Sequence, residues 1–395
     1  MERGPLADVR LGVVDMHMHP ALKTFMLGKD FLKRHHPPGF FFPLTLRTDL
    51  EALIAGGVKA FFCAHYIVEK DFLSDCWPLR GVRKLSSRVD HVFAGDPVDL
   101  TFECMDHFEA LVDRVNAERG PVMEIALSHG DLDRIMAAGK IAVLHSVEGG
   151  HSLGGSLDTL DRLHARGVCH LIIPHLYPNE SCWNVDSFGG VSFLKPIGCF
   201  TQEIKMDTGL TDFGRDVVDR MCDLGMMVDM CHATPKARAE IVARVAAHPK
   251  KRPVVMSHVG IHAFCPEPMN PTDEEIRAIA DTGGVIGIIA MGYFLTKPEK
   301  RDCLDVIVKI VEHMVDKGGE DVVAFGSDFD GFTGPPRDFK SPRDYKRVRD
   351  ALLRRFSEAQ VAKFLSENVL RALKSGWDAP ARAAEKAAAE SAPAG

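Results

Sequence analysis

The sequence VVDMHMHP at positions 13–20 places two histidines two residues apart at the end of an apolar, β-favouring run. Alternate side chains of an extended strand point to the same face, so we expect Asp15, His17 and His19 to share one face. Neutral imidazole is a common metal ligand. The pair therefore indicates part of a metal site, although two neighbours among 18 histidines also arise by chance.

Later apolar runs also end in acidic or imidazole side chains. These are Glu148, His175, His232, His258 and Asp328. A buried polar group is costly unless it is hydrogen-bonded, paired or bound to an ion. Each of these residues alone is compatible with an ordinary core position. Together they form a ligand set suited to zinc or a similar transition metal, large enough for two ions that share a carboxylate.

The elements that would position these residues are eight short β-branched runs, which alternate with helical patterns. The predicted strands are residues 11–17, 58–66, 140–148, 169–175, 226–232, 253–259, 284–292 and 321–328. This alternation predicts a closed (β/α)8 TIM barrel, with the metal site at the C-terminal face of the strands. A doubly wound open sheet is the alternative, but the glycine fingerprint of that fold does not follow the first strand.

The composition of the 395-residue chain is that of an ordinary globular protein, 46% hydrophobic and 26% charged. A net charge of −7 gives no basic footprint for nucleic acid or membrane. No apolar run reaches the ~20 residues that span a bilayer, and MERGPLADVR lacks the core of a signal peptide. We expect a cytoplasmic protein with a small-molecule substrate; its oligomeric state is open, with a homodimer as one candidate.

Domain organisation and cysteine usage complete this outline. We expect residues 1–378 to form one barrel domain and the Ala-rich segment 379–395 to be a frayed or disordered tail. The ten cysteines include no CxxC pair, so we expect reduced thiols. His35 and His36, in the Pro-rich loop 34–43, are expected at the surface and not as ligands.

Seven segments, in order along the chain, resemble the membrane (renal) dipeptidase family of metallopeptidases, within the amidohydrolase-like TIM barrels. They are SVEGGHSL, PHLYPNE, GLTDFGRDVVDRMCDLGMMVDMCHAT, VVMSHVG, NPTDEEIRAIADTGGVIGI, GSDFDG and SENVLRAL. The resemblance runs from about residue 9 to 373. It implies a metal-dependent dipeptidase with two zinc ions, or another divalent transition metal, in which a hydroxide bridging the ions attacks a peptide or amide carbonyl.

The resemblance also implies a role for each matching residue. The implied metal ligands are His17, His19, Glu148, His232, His258 and Asp328. The first two histidines would bind one ion, the last two the other, and Glu148 would bridge both. Asp328 would handle the proton of the attacking water, and His175 would face the substrate and its developing oxyanion. Asp330 is a second acid–base candidate, although an aspartate before glycine more often structures a loop.

Two positions depart from the family pattern. The family usually carries His-x-Asp where this chain has His17-Met18-His19, so the site loses a negative charge. This loss could weaken the binding of one ion or change the preferred metal. The family also carries an arginine, thought to bind the substrate carboxylate, where this chain has Met269 before Asn270. We expect Met269 and Asn270 to line a substrate pocket that lacks the paired donors of the arginine side chain. We expect the substrates to be dipeptides or N-acyl amino acid-like amides.

Two other functions remain open from the sequence. A lactonase or esterase on the same barrel is one, since two histidines in the first motif are normal in the wider amidohydrolase group. A catalytically inactive metal-binding barrel is the other. Retention of Glu148 and Asp328 argues against it, because a structural metal needs a closed ligand set and no proton acceptor.

Overall fold

A computed structural model of the chain describes residues 4–6, 9–42, 44–77, 80–81, 83, 86–381 and 383. Nine strands lie in the described part, and their pairings are parallel. They are β1 (Val13–Met18), β2 (Val58–Tyr66), β3 (Met123–Ile125), β4 (Ile141–Glu148), β5 (Val168–Ile172), β6 (Met227–Asp229), β7 (Val254–Val259), β8 (Ile286–Ile288) and β9 (Val323–Phe325).

Eight of these strands form a closed ring. From β1 the neighbours run β2, β4, β5, β6, β7, β8, β9 and back to β1. This confirms the predicted (β/α)8 barrel, and each predicted strand overlaps an observed one. The additional strand β3 pairs with the first three residues of β4. It was not predicted, because three residues are too few to show a periodic pattern.

Helices surround the ring, as alternating strands and helices require. The α-helices in the described residues are α1 (Pro20–Leu27), α2 (Leu50–Gly56), α3 (Lys70–Ser74), α4 (Ser87–Ala94), α5 (Pro97–Arg119), α6 (His129–Ala137), α7 (Leu157–Ala165), α8 (Asp212–Leu224), α9 (Pro235–Ala247), α10 (Asp273–Asp281), α11 (Gly292–Leu295), α12 (Leu304–Gly318), α13 (Tyr345–Leu353), α14 (Glu358–Ala362) and α15 (Asn368–Gly376). Helix α10 begins with a capping box of Thr272 and Glu275. No described helix is both long and apolar enough to cross a membrane.

The barrel interior is packed with side chains from nearly every strand. One buried cluster combines Met16 of β1, Phe62 of β2 and Leu144 of β4 with residues of the later strands and with Trp377. Gly376, beside that tryptophan, lies against the starts of β6 and β7. Helix α15 therefore closes the N-terminal end of the barrel and leaves the C-terminal end for polar residues.

The cysteines differ from expectation at one pair. Cys76 and Cys199 form a disulfide, so the prediction of ten reduced thiols is wrong for these two, while eight other cysteines are free and buried. The bonded pair belongs to a small apolar cluster with Phe188 and Phe200. A separation of 123 residues hid this proximity from the sequence. The predicted disordered tail, 379–395, lies mostly outside the described residues.

Candidate metal centre

The predicted metal ligands come together at the C-terminal end of the barrel, and all of them are buried. They are His17 in β1, His19 just after it, Glu148 at the end of β4, His232 after β6, His258 in β7 and Asp328 after β9. Parallel strands in a closed barrel end at the same face, so residues far apart in sequence meet there.

Glu148 stands at the centre of this group. Its Oε1 lies 3.3 Å from Nε2 of His17 and 3.6 Å from Nε2 of His258. Nε2 of His232 lies 3.8 Å from the same oxygen, and Nε2 of His19 lies 3.4 Å from Oε2. Oε1 is buried and has no hydrogen-bond partner. An unpaired carboxylate oxygen facing imidazole nitrogens is the environment that a cation would satisfy.

The four ligand histidines form two close pairs. Nε2 of His17 lies 2.9 Å from Nε2 of His19, and the same distance separates Nε2 of His232 and His258. Burial lowers the pKa of His17, His232 and His258 well below the ordinary 6.5, which favours neutral rings. For His19 burial lowers the pKa, but the Glu148 and Asp328 carboxylates outweigh it and the net direction is upward.

This set of donor atoms fits transition-metal ions. Three overlapping groups bring their ligand atoms within 4.8 Å of one another: His17, Glu148 and His258; His17, His19 and Asp328; Glu148, His175 and His232. Burial also raises the pKa of Glu148 well above 4.5, a cost that a nearby cation would offset. Imidazole nitrogen and carboxylate oxygen are ligands that zinc accepts.

Two serines orient the second histidine pair. Oγ of Ser257 lies 2.9 Å from Nδ1 of His258, and Oγ of Ser187 lies 2.8 Å from Nδ1 of His232. A partner at Nδ1 leaves Nε2 directed at the site, which is how outer hydrogen bonds commonly orient metal-binding histidines. Ser187 carried no signal in the sequence, because it lies 45 residues from His232 on a long loop.

The Asp15 side chain does not lie on the same face of β1 as His17, so the prediction from regular alternation along the strand is wrong for this residue. The register of β1 against β2 shifts just after this residue. Its carboxylate accepts hydrogen bonds from the Tyr345 hydroxyl at 2.6 Å and from the backbone amides of His17 and Ser327 at 3.0 Å. Burial raises its pKa to about 6 despite these bonds. Asp15 therefore ties β1 to the segment that carries Asp328.

Two side chains at the site are more open than the others. The Asp328 side chain is 11% exposed and that of His175 is 9%, against 6% or less for the five other ligands. Oδ1 of Asp328 lies 3.1 Å from Nε2 of His19. A Cβ at position 331 would come within 2.0 Å of this oxygen, so Gly331 is needed there. The open sides of Asp328 and His175 are where a substrate could reach the centre.

Asp330 lies beside the site but holds a loop. Its oxygens accept hydrogen bonds from the backbone amides of Arg47 and Thr48 and from the Thr48 hydroxyl, at 2.6–3.0 Å. Nζ of Lys23 lies 3.0 Å from Oδ1. With its carboxylate so engaged, Asp330 has the loop-structuring role that its position before glycine favoured.

The two predicted pocket residues after β7 differ in their surroundings. Asn270 is 1% exposed, and its amide bonds the backbone of Gly260, Cys265 and Phe294, all at 2.8 Å. It therefore holds its loop, and its contact with a substrate stays a prediction. Sδ of Met269 lies 3.9 Å from Oγ of Ser187, the hydroxyl that contacts His232, so methionine is next to the centre.

His35 and His36 are both remote from the ligands. Nε2 of His35 lies 2.9 Å from the backbone oxygen of Asp30, and His36 is exposed. Glu69, which was not predicted as a site residue, lies in the loop after β2, and its carboxylate is hydrogen-bonded to His175. The signal was present, because Tyr66 and Glu69 are polar residues at the end of a predicted strand. Burial raises the pKa of Glu69, but His175 and His151 outweigh it and the value falls to about 2.

Comparison of the sequence with known proteins gives a consistent result. Residues 9–387 match the family model described as membrane dipeptidase (peptidase family M19). An uncharacterized protein in the pqqA 5′ region of Klebsiella pneumoniae is 31% identical over 291 residues, 72% of this chain and 98% of that protein. Dipeptidase tcpJ of Claviceps purpurea is 29% identical over 367 residues, 93% of this chain and 76% of that protein.

Solved structures share the fold. A metallopeptidase from Rhodobacter sphaeroides, liganded with a phosphinate mimic of the dipeptide L-Ala-D-Ala, gives a TM-score of 0.74 at 20% identity, over 93% of this chain and 99% of that one. The probable dipeptidase PvdM from Pseudomonas aeruginosa gives 0.70 at 19% identity, over 94% and 96%. At these identities the likeness establishes the barrel architecture.

Proposed function

Because the chain belongs to the membrane dipeptidase family, peptidase family M19, it is a metal-dependent hydrolase, and we propose that it cleaves an amide bond in a small, dipeptide-like substrate. The observation that carries this proposal is the convergence of four imidazole nitrogens on Glu148, within 3.3–3.8 Å. The family favours amide hydrolysis over the lactonase, esterase and inactive-barrel alternatives.

The proposed site holds two divalent ions, with zinc as the leading candidate. One would be bound by His17, His19 and Glu148 beside Asp328, and the other by Glu148, His232 and His258. Ions bound there would polarise the substrate carbonyl and make water nucleophilic near neutral pH.

The roles of the protein groups follow from their exposure and geometry. As a water oxygen bonds to the amide carbon, Asp328 accepts a proton from that water. When the C–N bond breaks, Asp328 returns the proton to the leaving amine. His175, the other open side chain, supports the negative charge on the carbonyl oxygen.

Met269 supports a proposal about the substrate. The family arginine at this position would present two donors to a carboxylate, whereas methionine presents a soft apolar wall. We propose a dipeptide-like or N-acyl amino acid-like substrate whose end near Met269 is neutral or apolar. The Claviceps purpurea relative is named as a dipeptidase, and the metallopeptidase structure from Rhodobacter sphaeroides carries a dipeptide mimic.

The test is metal analysis combined with a substrate panel of dipeptides, N-acyl amino acids and lactones. We expect about one to two equivalents of zinc or a similar ion per chain, and loss of amide hydrolysis on chelation that the metal reverses. The proposal would be contradicted if the purified protein contained no transition metal and its amide hydrolysis were unaffected by the chelator. Preferential lactone turnover would favour the alternative chemistry. The cytoplasmic location stays a prediction, to be tested by fractionation together with the redox state of Cys76 and Cys199.

A further inference from the structure

Glu69 lies behind His175, on the side away from the metal ligands. Its Oε1 is 3.0 Å from Nδ1 of His175 and accepts a hydrogen bond from the backbone amide of Leu176 at 3.1 Å. Its Oε2 accepts a 2.5 Å hydrogen bond from the Tyr66 hydroxyl. The Glu69 side chain is only 5% exposed. A buried carboxylate with three donors is a fixed acceptor and not a surface charge.

The acceptor determines how the His175 ring is oriented. An ionised carboxylate has no proton to donate, so the proton between Oε1 and Nδ1 belongs to the histidine. With Nδ1 directed at Glu69, the opposite ring nitrogen must face the metal centre. Nε2 indeed lies 3.5 Å from Oε2 of Glu148. The ring also packs against Tyr66, with centroids 4.4 Å apart.

We propose that Glu69 is a positioning residue for hydrolysis, which holds His175 with Nε2 toward the carbonyl oxygen of the substrate. This rests on the proposed function, in which His175 supports the developing oxyanion. A preorganised group must be held by its neighbours before the substrate arrives, because reorientation during reaction would cost part of its effect. Glu69 supplies that support from the loop between β2 and α3.

A competing role for Glu69 is to anchor the loop after β5, because it also binds the amide of Leu176. The chain offers a matched control for that role. Nδ2 of Asn184 donates to the backbone oxygens of Leu176 at 2.7 Å and Val185 at 3.0 Å. Asn184→Ala therefore loosens the same loop without removing the hydrogen bond at Nδ1 of His175.

The kinetic experiment is a double-mutant cycle on the metal-loaded enzyme. Glu69→Leu removes the acceptor. Glu69→Leu and Glu69→Gln differ in this respect, because the glutamine keeps one oxygen, which can accept hydrogen bonds from Nδ1 of His175 and from the backbone amide of Leu176. Loss of one oxyanion-stabilising group costs ~10²–10³ in kcat, so we expect His175→Ala to lose about 100-fold and Glu69→Leu about 10- to 100-fold, with KM within about threefold. Glu69→Gln should recover most of the loss.

The cycle separates positioning from anchoring. If Glu69 acts through His175, Glu69→Leu should lower kcat by no more than about twofold when His175 is already alanine. Multiplicative losses, or an equal loss in Asn184→Ala, would overturn the proposal. Metal content and thermal unfolding verify that each variant is folded. Glu69→Ala is the second acceptor-free variant if leucine prevents folding.

A spectroscopic readout does not depend on activity. Proton–nitrogen NMR of histidine-labelled protein should show an Nδ1–H signal that His175→Ala removes. The signal should persist in Glu69→Gln and disappear or exchange rapidly in Glu69→Leu. An unchanged signal in Glu69→Leu would reject the positioning role. If the signal behaves as expected but the parent hydrolyses no amide, the proposed function fails while the contact between Glu69 and His175 stands.

Discussion

The Tyr345 hydroxyl donates a 2.6 Å hydrogen bond to Oδ2 of Asp15, 330 positions earlier in the chain. Both groups are fully buried. Tyr345→Phe would leave a buried carboxylate short of a donor, so we expect a loss of about 1–3 kcal/mol in the free energy of unfolding, measured with denaturant. Tyr177→Phe is the control, since its acceptor Asp75 is only partly buried and water can replace the hydroxyl. Equal losses in the free energy of unfolding for the two variants would show that burial of the Tyr345–Asp15 hydrogen bond adds nothing to its contribution.

Glu148→Gln tests the bridging role. The replacement is nearly isosteric but removes the carboxylate that, alone among those the structure describes, all four candidate ligand histidines approach within 3.8 Å. We expect lower metal occupancy and a loss in kcat of at least about 100-fold. Glu124→Gln, at a carboxylate that pairs with Arg134 and Lys140 away from the centre, should keep both metal and turnover. Turnover of Glu148→Gln within about tenfold of the parent would refute the assignment.

His19→Asp restores the family's usual ligand and adds a negative charge. Nε2 of His19 lies 3.1 Å from Oδ1 of Asp328 and 3.4 Å from Oε2 of Glu148, so the change acts at the ions themselves. We expect the more weakly held ion to bind about tenfold tighter or better, ~1.4 kcal/mol, in metal titration followed by calorimetry. His36→Asp makes the same substitution at an exposed histidine and should leave metal affinity unchanged. Weaker binding in His19→Asp would mean that the imidazole is the better ligand here.

Met269→Arg tests substrate recognition. A charge-assisted bond to a carboxylate is worth about 1.5–3 kcal/mol. The ratio of kcat/KM for a free dipeptide to that for its C-terminal amide should therefore rise roughly 10- to 150-fold. Met269→Leu keeps an apolar side chain and should leave the ratio near that of the parent. A parent that already prefers the free carboxylate strongly, and is unchanged by arginine, would show that another group binds it.

The barrel, and the convergence of the candidate metal ligands at one of its ends, could be predicted from the sequence. Eight β-branched runs separated by helical patterns leave few topologies, and parallel strands joined by helices close into a barrel whose strand ends share one face. His17, Glu148, His258 and the other ligands are visible because each is a polar residue at the end of an apolar run, where it would be costly without a partner. These signals are local, so one sequence suffices to read them.

Tertiary structure decided the contacts that join distant segments. Asp15 and His17 do not share a face, and the register of β1 against β2 is irregular between Asp15 and Met18. Asn270 became a loop support and Glu69 a partner of His175 because their hydrogen bonds run to other strands and loops. The Cys76–Cys199 disulfide likewise depends on two loops meeting. Periodicity predicts which way a side chain points where a strand is regular, whereas irregularities of the strand and the partner that a side chain meets are fixed only when the barrel closes and brings the loops together.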